Sequence, residues 1–522
     1  MSRRAIWVPA VLAVCVVGLI VSAIDTERSG PLGAPAEPAR IGAPMPAEPA
    51  GPASRLAYAG PRRLSGVDSL RARVGRESGR IVAVTFLLDG QPLGTDTTAP
   101  FELDVDASRL PAGQHRLGVA AVDRLGGRIA APDVRVRIAP GESPATLTAT
   151  PATFRRVLRE LAGGHVIVRL APGRYVVPHL EVGGSTRLVG SGSGTVLASA
   201  AGGWSLMTVR GRGVRVSDLT IDGSGRAERA IGVAAGSHDV RFQRIGIRGI
   251  RRTGIEVWGE HSDISIQDST IAGDQARGAG IFELGSTDTR DMSVIRTSIS
   301  GFRTHGINFA QRDYDEPSAA LHAVALDNEI SNIDDPAAAS GTHEGGIWSG
   351  GVAAAIIGNR IHDTGWDGIQ TVGSSRRVTV AGNEIARTRV GIYLEHETNE
   401  SVFARNTIAD VATGINVEWR YDGNGSSGNT FEANTILRPA ETGLFVDVQG
   451  DNNRIAGNTF TGGTGTAIVL QGASGNLVTG NRACERPGRP LVVEQSAHHD
   501  DGRAAHSVRN RIEGNESVDA CP

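Results

Sequence analysis

Two stretches of the chain repeat one pattern: AGNEIARTRVGIYLE at residues 381–395 and ARNTIADVATGINVE at residues 404–418. Each has an Asn two residues before an Ile, and a Gly-Ile pair that begins eight residues after the Asn. Gly followed by Ile or Leu recurs at Gly254, Gly280, Gly306, Gly346, Gly368, Gly391, Gly414 and Gly443, and Ala467-Ile468 continues the series. The Asn register runs through Asn328, Asn359, Asn383, Asn406, Asn434, Asn458, Asn481 and Asn515. Spacings of mostly 22 to 29 residues predict a solenoid, and the alternation of apolar and polar residues favours strands over helices.

The two registers, together with IVRLAPGRY at residues 167–175, resemble the right-handed parallel β-helix proteins of the pectate-lyase-like superfamily. The resemblance covers residues 145–522 and implies an all-β fold, a right-handed single-stranded parallel β-helix. A helix predicted over residues 150–162, from Thr150-Pro151 to Gly163-Gly164, would cap its first turn. The Asn register is expected to form a ladder of side-chain amides, one on each turn. The superfamily contains lyases, glycoside hydrolases, epimerases and adhesins, so the resemblance specifies a fold better than a function.

Residues 58–140 contain short alternating strands separated by turns, which predict a small β-sandwich. Asp89-Gly90, Pro100-Phe101, residues 110–113 (LPAG) and His115 resemble bacterial immunoglobulin-like modules of exported proteins. Such modules are spacers or carbohydrate-binding accessories. We see no aromatic platform in this segment, which favours a spacer.

The N-terminus is typical of an exported protein. Arg3 and Arg4 precede an apolar run that ends near residue 24, so residues 1–24 form a cleaved signal peptide or an uncleaved membrane anchor. Residues 25–57 are rich in Pro and Ala and predict a linker. We therefore expect a secreted or cell-surface location. In an oxidising compartment Cys484 and Cys521 are expected to form a disulfide, the alternative being two free thiols.

Charge and composition exclude several classes of function. The net charge of -3 argues against nucleic-acid binding. All 53 basic residues are Arg, which excludes Schiff-base chemistry and a lysine general base. No cofactor is predicted, and a capped solenoid favours a monomer.

The strand that follows each Gly-Ile pair is expected to direct two columns of side chains outward. The first column contains aromatic rings and amides, which suit a glycan because sugar rings stack on aromatics and amides bond hydroxyl groups. The predicted substrate-binding residues are Trp348, Tyr393, Phe282, Phe445, Gln370, Asn416 and Asn308. An ordinary mixed surface is the alternative interpretation.

The second column carries Glu395, Glu418 and Asp447 on consecutive turns. Neighbours are expected about 5 Å apart, a spacing that suits the paired carboxylates of a retaining glycosidase. Asp367, directly before a repeat Gly, is a further catalytic candidate at the edge of the groove. The alternatives are a Ca²⁺ site and acids that are simply solvated.

Glycoside hydrolysis is the function that these residues favour. The outward columns hold hardly any Arg to neutralise a uronate, and the Asp-Pro-His-Asp signature of the epimerases is absent. The sequence therefore predicts an exported protein that hydrolyses a neutral or lightly charged polysaccharide. The alternatives are a non-catalytic, adhesin-like binder of surface glycans and a polysaccharide lyase or epimerase.

Overall fold

The computed structural model describes residues 56–65, 67–74, 81–107, 110–139, 146–285, 290–311, 323–334, 345–351, 353–395, 397–418, 425–485, 489–498 and 504–519. The predicted export segment and Cys521 lie outside these ranges, as does all but the end of the linker. Within the described ranges, no helix has both the length and the apolar character needed to cross a membrane.

The N-terminal module is a β-sandwich. Its smaller sheet consists of Leu56–Tyr58, Val67–Val74 and Glu102–Asp106. Its larger sheet consists of Arg63–Leu64, Val134–Ile138, Gly113–Asp123, Ile81–Leu88 and Gln91–Asp96, with Arg128–Ala130 paired to Gly113–Asp123. Inward residues of both sheets, such as Leu70 and Phe86, form one buried core. The predicted immunoglobulin-like module is present, and its first strand begins two residues before the predicted start at residue 58.

The cap is shorter than the sequence predicted. A 3₁₀ turn, Phe154–Arg156, leads into an α-helix at Leu158–Gly163. Residues 151–153 form a turn instead of the first helical turn. Phe154 and Leu161 are nonetheless buried against the first turns of the β-helix.

The rest of the described chain winds into a parallel β-helix. Two strands of most turns join a 27-stranded sheet: Thr146–Ala149, Ile167–Leu170, Gly173–Val177, Arg187–Val189, Thr195–Ser199, Arg215–Asp222, Ser237–Arg248, His261–Gln267, Thr270–Ala276, Arg290–Ile295, Ser298–Phe302, Ala323–Leu326, Glu329–Ile333, Ala354–Ile357, Arg360–Thr364, Thr379–Ala381, Glu384–Ala386, Val402–Ala404, Thr407–Ala409, Thr430–Glu432, Thr435–Leu437, Arg454–Ala456, Thr459–Thr461, Leu477–Thr479, Arg482–Cys484, Arg511–Glu513 and Glu516–Val518. The remaining strand of each turn joins a 13-stranded sheet: Leu180–Val182, Gly203–Val209, Ala227–Val233, Thr253–Trp258, Ile281–Gly285, His305–Gln311, Gly345–Gly350, Asp367–Val372, Val390–Glu395, Thr413–Glu418, Thr442–Val446, Thr466–Gln471 and Val492–Gln495. A short antiparallel pair, Ala497–His498 and Ala504–Ala505, follows it.

The Gly-Ile repeat has a packing reason. The Ile of each pair is fully buried in one column of the core, as at Ile369, Ile392 and Ile415. The preceding Gly lies against the Ile of a neighbouring strand. A Cβ added at Gly391 would overlap the Cγ2 atom of Ile408. A small residue, in most turns Gly, is therefore favoured where the chain enters the 13-stranded sheet.

The predicted Asn ladder is confirmed. Asn406 Nδ2 donates to Asn434 Oδ1 at 2.9 Å, and Asn383 Nδ2 donates to Asn406 Oδ1 at 2.9 Å. The same bond links every neighbouring pair from Asn328 to Asn515, at 2.9 to 3.0 Å. A second ladder, which was not predicted from the sequence, lies on the C-terminal turns. In it the backbone N–H of each Asn donates to the side chain of the next: Asn429, Asn453, Asn476 and Asn510.

The module packs against the 27-stranded sheet, and its role as a spacer stays a prediction. The side-chain amide of Gln267 in the β-helix pairs with the backbone of Thr95 in the module, as a neighbouring strand would. Its Oε1 accepts from the Thr95 N–H at 3.0 Å, and its Nε2 donates to the Thr95 carbonyl at 2.5 Å. Arg296 Nη1 also donates to Thr95 Oγ1, at 2.8 Å. Apolar residues of both parts form a shared buried cluster: Val82, Ala83, Val122, Ile295, Val324, Leu326, Ala355 and Ile357.

Cys484, at the end of the strand Arg482–Cys484, is disulfide-bonded. Its predicted pairing with Cys521 stays a prediction, because Cys521 lies outside the described residues.

Candidate functional site

The groove face is the outward side of the 13-stranded sheet. Its strands align in the register that the sequence predicted, so that one outward column reads Glu256, Phe282, Asn308, Trp348, Gln370, Tyr393, Asn416, Phe445 and Val469. Because parallel strands lie about 4.8 Å apart, side chains of this column are close enough to contact their neighbours.

Two acids of the second column form a cross-strand pair. Glu395 and Glu418 are register partners on the strands Val390–Glu395 and Thr413–Glu418, and both are half-buried. Gln370 Nε2 donates to Glu395 Oε2 at 2.8 Å, and Asn416 Nδ2 approaches Glu418 Oε2 at 3.3 Å. Amides of the first column thus orient the carboxylates of the second.

Asp447 lies on the next turn, one residue beyond the strand Thr442–Val446. Its N–H donates to the carbonyl of Val417 at 2.8 Å. This hydrogen bond continues the strand pairing by one residue, so that Asp447 follows Glu418 in the second column. Its carboxylate accepts from Gln471 Nε2 at 3.2 Å. We call Gln370, Glu395, Asn416, Glu418 and Asp447 the acid end of the groove face.

Three predicted binding residues are more buried than an open groove requires. Tyr393 is 1% exposed, Gln370 3% and Asn308 6%. Outward orientation does not ensure exposure, since residues one strand spacing apart cover each other's flanks. In this structure Tyr393 therefore has no open ring face for stacking. Trp348, Phe282 and Phe445 are partly exposed.

Asp367 is not at an accessible edge. It begins the strand Asp367–Val372 and is fully buried. The sequence predicted the turn on which Asp367 lies, because Asp367 directly precedes a repeat Gly. It did not predict that the side chain is buried. A direct contact between Asp367 and a glycan would need the structure to open.

A group of aromatic and charged residues that was not predicted from the sequence lies at the other end of the groove face. Trp204 is 57% exposed and Trp258 41% exposed. The Trp258 ring lies 5.6 Å from the Phe282 ring, centroid to centroid. The guanidinium of Arg229 lies 5.0 Å from the centroid of Trp204. With Glu256, these residues form what we call the aromatic end.

Glu256 connects the residues of the aromatic end. Its buried carboxylate accepts hydrogen bonds from both Arg229 Nη1 and Trp258 Nε1. Burial lowers the pKa of Arg229, and the Glu256 carboxylate opposes that shift. The Gly-Ile repeat begins only at Gly254, so it could not reveal Trp204 or Arg229. Trp258, four residues after Gly254, was the signal that the sequence offered.

Metal binding has little support among the described residues. No group of three or more His, Cys, Asp or Glu side chains there is arranged to hold a metal ion. The predicted Ca²⁺ alternative for the acid column remains a prediction.

Comparisons with known proteins agree with this architecture. A model for bacterial Ig domains matches residues 64–119, and the model of the family described as periplasmic copper-binding protein (NosD) matches residues 244–483. The family 28 exopolygalacturonase of Yersinia enterocolitica is 12% identical with a TM-score of 0.51, covering 88% of this chain and 99% of its own. The chain is a parallel β-helix repeat protein. Its N-terminal module is immunoglobulin-like.

Two further solved structures are more distant. The GH87 α-1,3-glucanase of Streptomyces thermodiastaticus is 13% identical with a TM-score of 0.42, covering 89% of each chain. The surface adhesin PfbA of Streptococcus pneumoniae is 13% identical with a TM-score of 0.41, covering 72% of this β-helix protein and 100% of its own chain. No curated protein sequence matches this β-helix protein.

Proposed function

We propose that this β-helix protein is an exported glycoside hydrolase that uses Glu395 and Glu418 on a neutral or lightly charged polysaccharide. The observation that supports it best is the register pair itself. Two half-buried carboxylates lie on adjacent strands, each with an amide donor from the neighbouring column.

The geometry suits a double displacement. Adjacent strands are about 4.8 Å apart, close to the carboxylate separation of retaining enzymes. One carboxylate would attack the anomeric carbon while the other, protonated, gives its proton to the departing glycosidic oxygen. The second group would then take a proton from water as the water cleaves the glycosyl ester. Asp447, on the following turn, is the reserve candidate for either role.

The charge of the groove face supports a substrate with few negative charges. The columns around the acid end carry amides, acids and aromatic rings, and no Arg. A polyuronate would meet repulsion there. Export is supported by the N-terminal apolar segment, and the matched family is described as periplasmic.

Copper is not part of the proposal, although the matched family is described as copper-binding. The described residues offer no group of three or more His, Cys, Asp or Glu ligands. They do not fit a copper site of that kind, and no step above is routed through a metal.

The test is an assay of the full chain on a panel of neutral and acidic polysaccharides. New reducing ends and the ultraviolet absorbance of unsaturated uronides are measured in parallel. We expect reducing ends alone, because hydrolysis makes no double bond. Absorbance would mean elimination and would overturn the proposed mechanism.

Carboxylate-to-amide variants locate the chemistry. E395Q and E418Q should each lower kcat by about 10² to 10⁴ while glycan binding persists. The matched control is E384Q, since Glu384 is exposed on the 27-stranded sheet. Wild-type turnover in both variants would remove the acid pair from the mechanism.

A non-catalytic glycan binder is the second candidate, and the aromatic end favours it. Exposed rings at Trp204 and Trp258 can bind sugars without help from the acids. Binding lost in W204A and W258A, with no turnover on any polysaccharide, would establish this function in place of hydrolysis.

A further inference from the structure

A cleft of about 390 Å³ lies between the immunoglobulin-like module and the first turns of the β-helix. On the module side it is lined mainly by apolar residues, among them Leu103, Val105 and Leu110. Five arginines line the β-helix side: Arg169, Arg187, Arg215, Arg241 and Arg244. We call this the arginine cleft. It is separate from the groove face, because these arginines all belong to strands of the 27-stranded sheet.

Three of the arginines form one column. Arg187 pairs in register with Arg215, and Arg215 pairs with Arg241. Strand spacing puts their Cα atoms about 4.8 Å apart, so three like charges are stacked on consecutive turns. Such an arrangement is unfavourable unless anions compensate it.

The protein supplies only part of that compensation. Arg215 Nη2 bonds Asp239 Oδ1 at 2.6 Å, and Arg244 Nε bonds Asp218 Oδ1 at 2.6 Å. Arg169 Nη2 lies 3.3 Å from Asp106 Oδ2.

Arg187 and Arg241 are not neutralised in this way. Neither has a side-chain hydrogen bond or ion pair to any described residue, and the Nε atom of Arg241 is buried without a partner. Asp96, Asp104 and Asp239 attract Arg241 only through space, whereas burial and the neighbouring Arg215 lower its pKa. A buried guanidinium N–H without an acceptor is costly, and a bound oxyanion would supply one.

The cleft is held open by contacts at its margin. Gln243 Nε2 donates to the Leu93 carbonyl at 2.9 Å, and the Gln267–Thr95 pair lies one turn further on. Domain interfaces of this kind are common locations for small-molecule sites.

We propose that the arginine cleft binds a phosphate or sulfate group carried on a small apolar body, with Arg187 and Arg241 as the anion ligands. The oxyanion would meet the arginine column, and the apolar body would lie against Leu103, Val105 and Leu110. The site is independent of the hydrolase proposal, since it shares no residue with the groove face.

Calorimetric titration of the full chain tests the site with two probes, inorganic phosphate and phenyl phosphate, at constant ionic strength. We expect saturable binding of both. Phenyl phosphate should bind more tightly because its ring covers the apolar wall. R187Q and R241Q should each weaken both probes about tenfold or more.

The control is R174Q, because Arg174 lies on the same sheet outside the cleft and pairs with Asp222. If R241Q fails to fold, R187Q decides, since Arg187 makes no side-chain bond to a described residue. Absence of saturable binding, or equal affinities in R187Q and R174Q, would overturn the proposal.

Discussion

At the aromatic end of the groove face, Glu256 is buried and paired with Arg229, and the nearby Trp rings are exposed. At the acid end the situation is reversed: the carboxylates are half-exposed, and the aromatic Tyr393 is buried. The two ends lie on the same sheet and in the same register. The difference therefore comes from side chains alone. Under the proposed function, the aromatic end would bind the glycan and the acid end would cleave it.

The turns beneath the two ends are also stabilised differently. The Asn ladder begins at Asn328 and continues under the acid end. The module contacts the turns before the ladder through Gln243, Gln267 and Arg296. It also packs against the first ladder turns through Ala355 and Ile357. Three predictions test whether these are separate stabilising devices.

The largest effect is expected from Asn406→Ala. It removes a buried amide and leaves the N–H and Nδ2 donors of Asn383 without an acceptor. We expect the free energy of unfolding to fall by about 4 kcal/mol, measured by urea denaturation. The control is Thr407→Ala, the exposed neighbour. Equal stability of the two variants would mean that the ladder contributes nothing.

The second effect is a pH dependence of the free energy of unfolding, caused by Asp96 in the module. Burial raises the pKa of Asp96 from 3.8 to about 6. The folded protein binds the Asp96 proton more tightly than the unfolded chain does, and this difference stabilises the fold. The stabilisation is complete below pH 3.8 and is lost as the pH rises through 6. The difference, 1.36 × (6 − 3.8), is at most about 3 kcal/mol.

In urea denaturation, the stability lost between pH 4 and pH 7 should be larger in the wild type than in Asp96→Asn by up to this amount. On the ladder side, stability is lost over a different pH range. The hydrogen bond that His362 Nε2 donates to the Glu329 carboxylate raises the pKa of His362 above 6.5, so the stabilisation from His362 is lost only above that pH. Identical pH profiles for the wild type and Asp96→Asn would refute the assignment.

The smallest effect is expected from Gln267→Ala, at about 2 kcal/mol, because the Thr95 N–H and carbonyl lose their partner. Gln91→Ala, at an exposed module residue, is the control. Combined with Asn406→Ala, the losses should add to within about 0.5 kcal/mol if the two devices are independent. A clear departure from additivity would show that they act as one unit.

The sequence predicted the fold well where the information is periodic. Gly391 and Asn406 each make the same contact on every turn, so their spacing alone specified the core column and the ladder. The sequence did not predict contacts and burial that arise from residues outside the repeat pattern. Nothing near Thr95 indicates that Gln267 will complete its hydrogen bonds, because those residues are 172 apart in the chain. The burial of Tyr393 likewise depends on the residues that cover its ring, and the local sequence does not show which residues these are.

The ladder also constrains how proteins of this kind can change length. Each Asn donates to the Asn of the next turn, so every amide is both acceptor and donor in one direction. Duplicating the 23 residues from Asn383 to Arg405 would insert a turn with all of its ladder bonds made. Adding or removing a fraction of a turn within the strands would break the series. Evolution or engineering can therefore lengthen this molecule in whole turns, and smaller changes belong in the connections between strands.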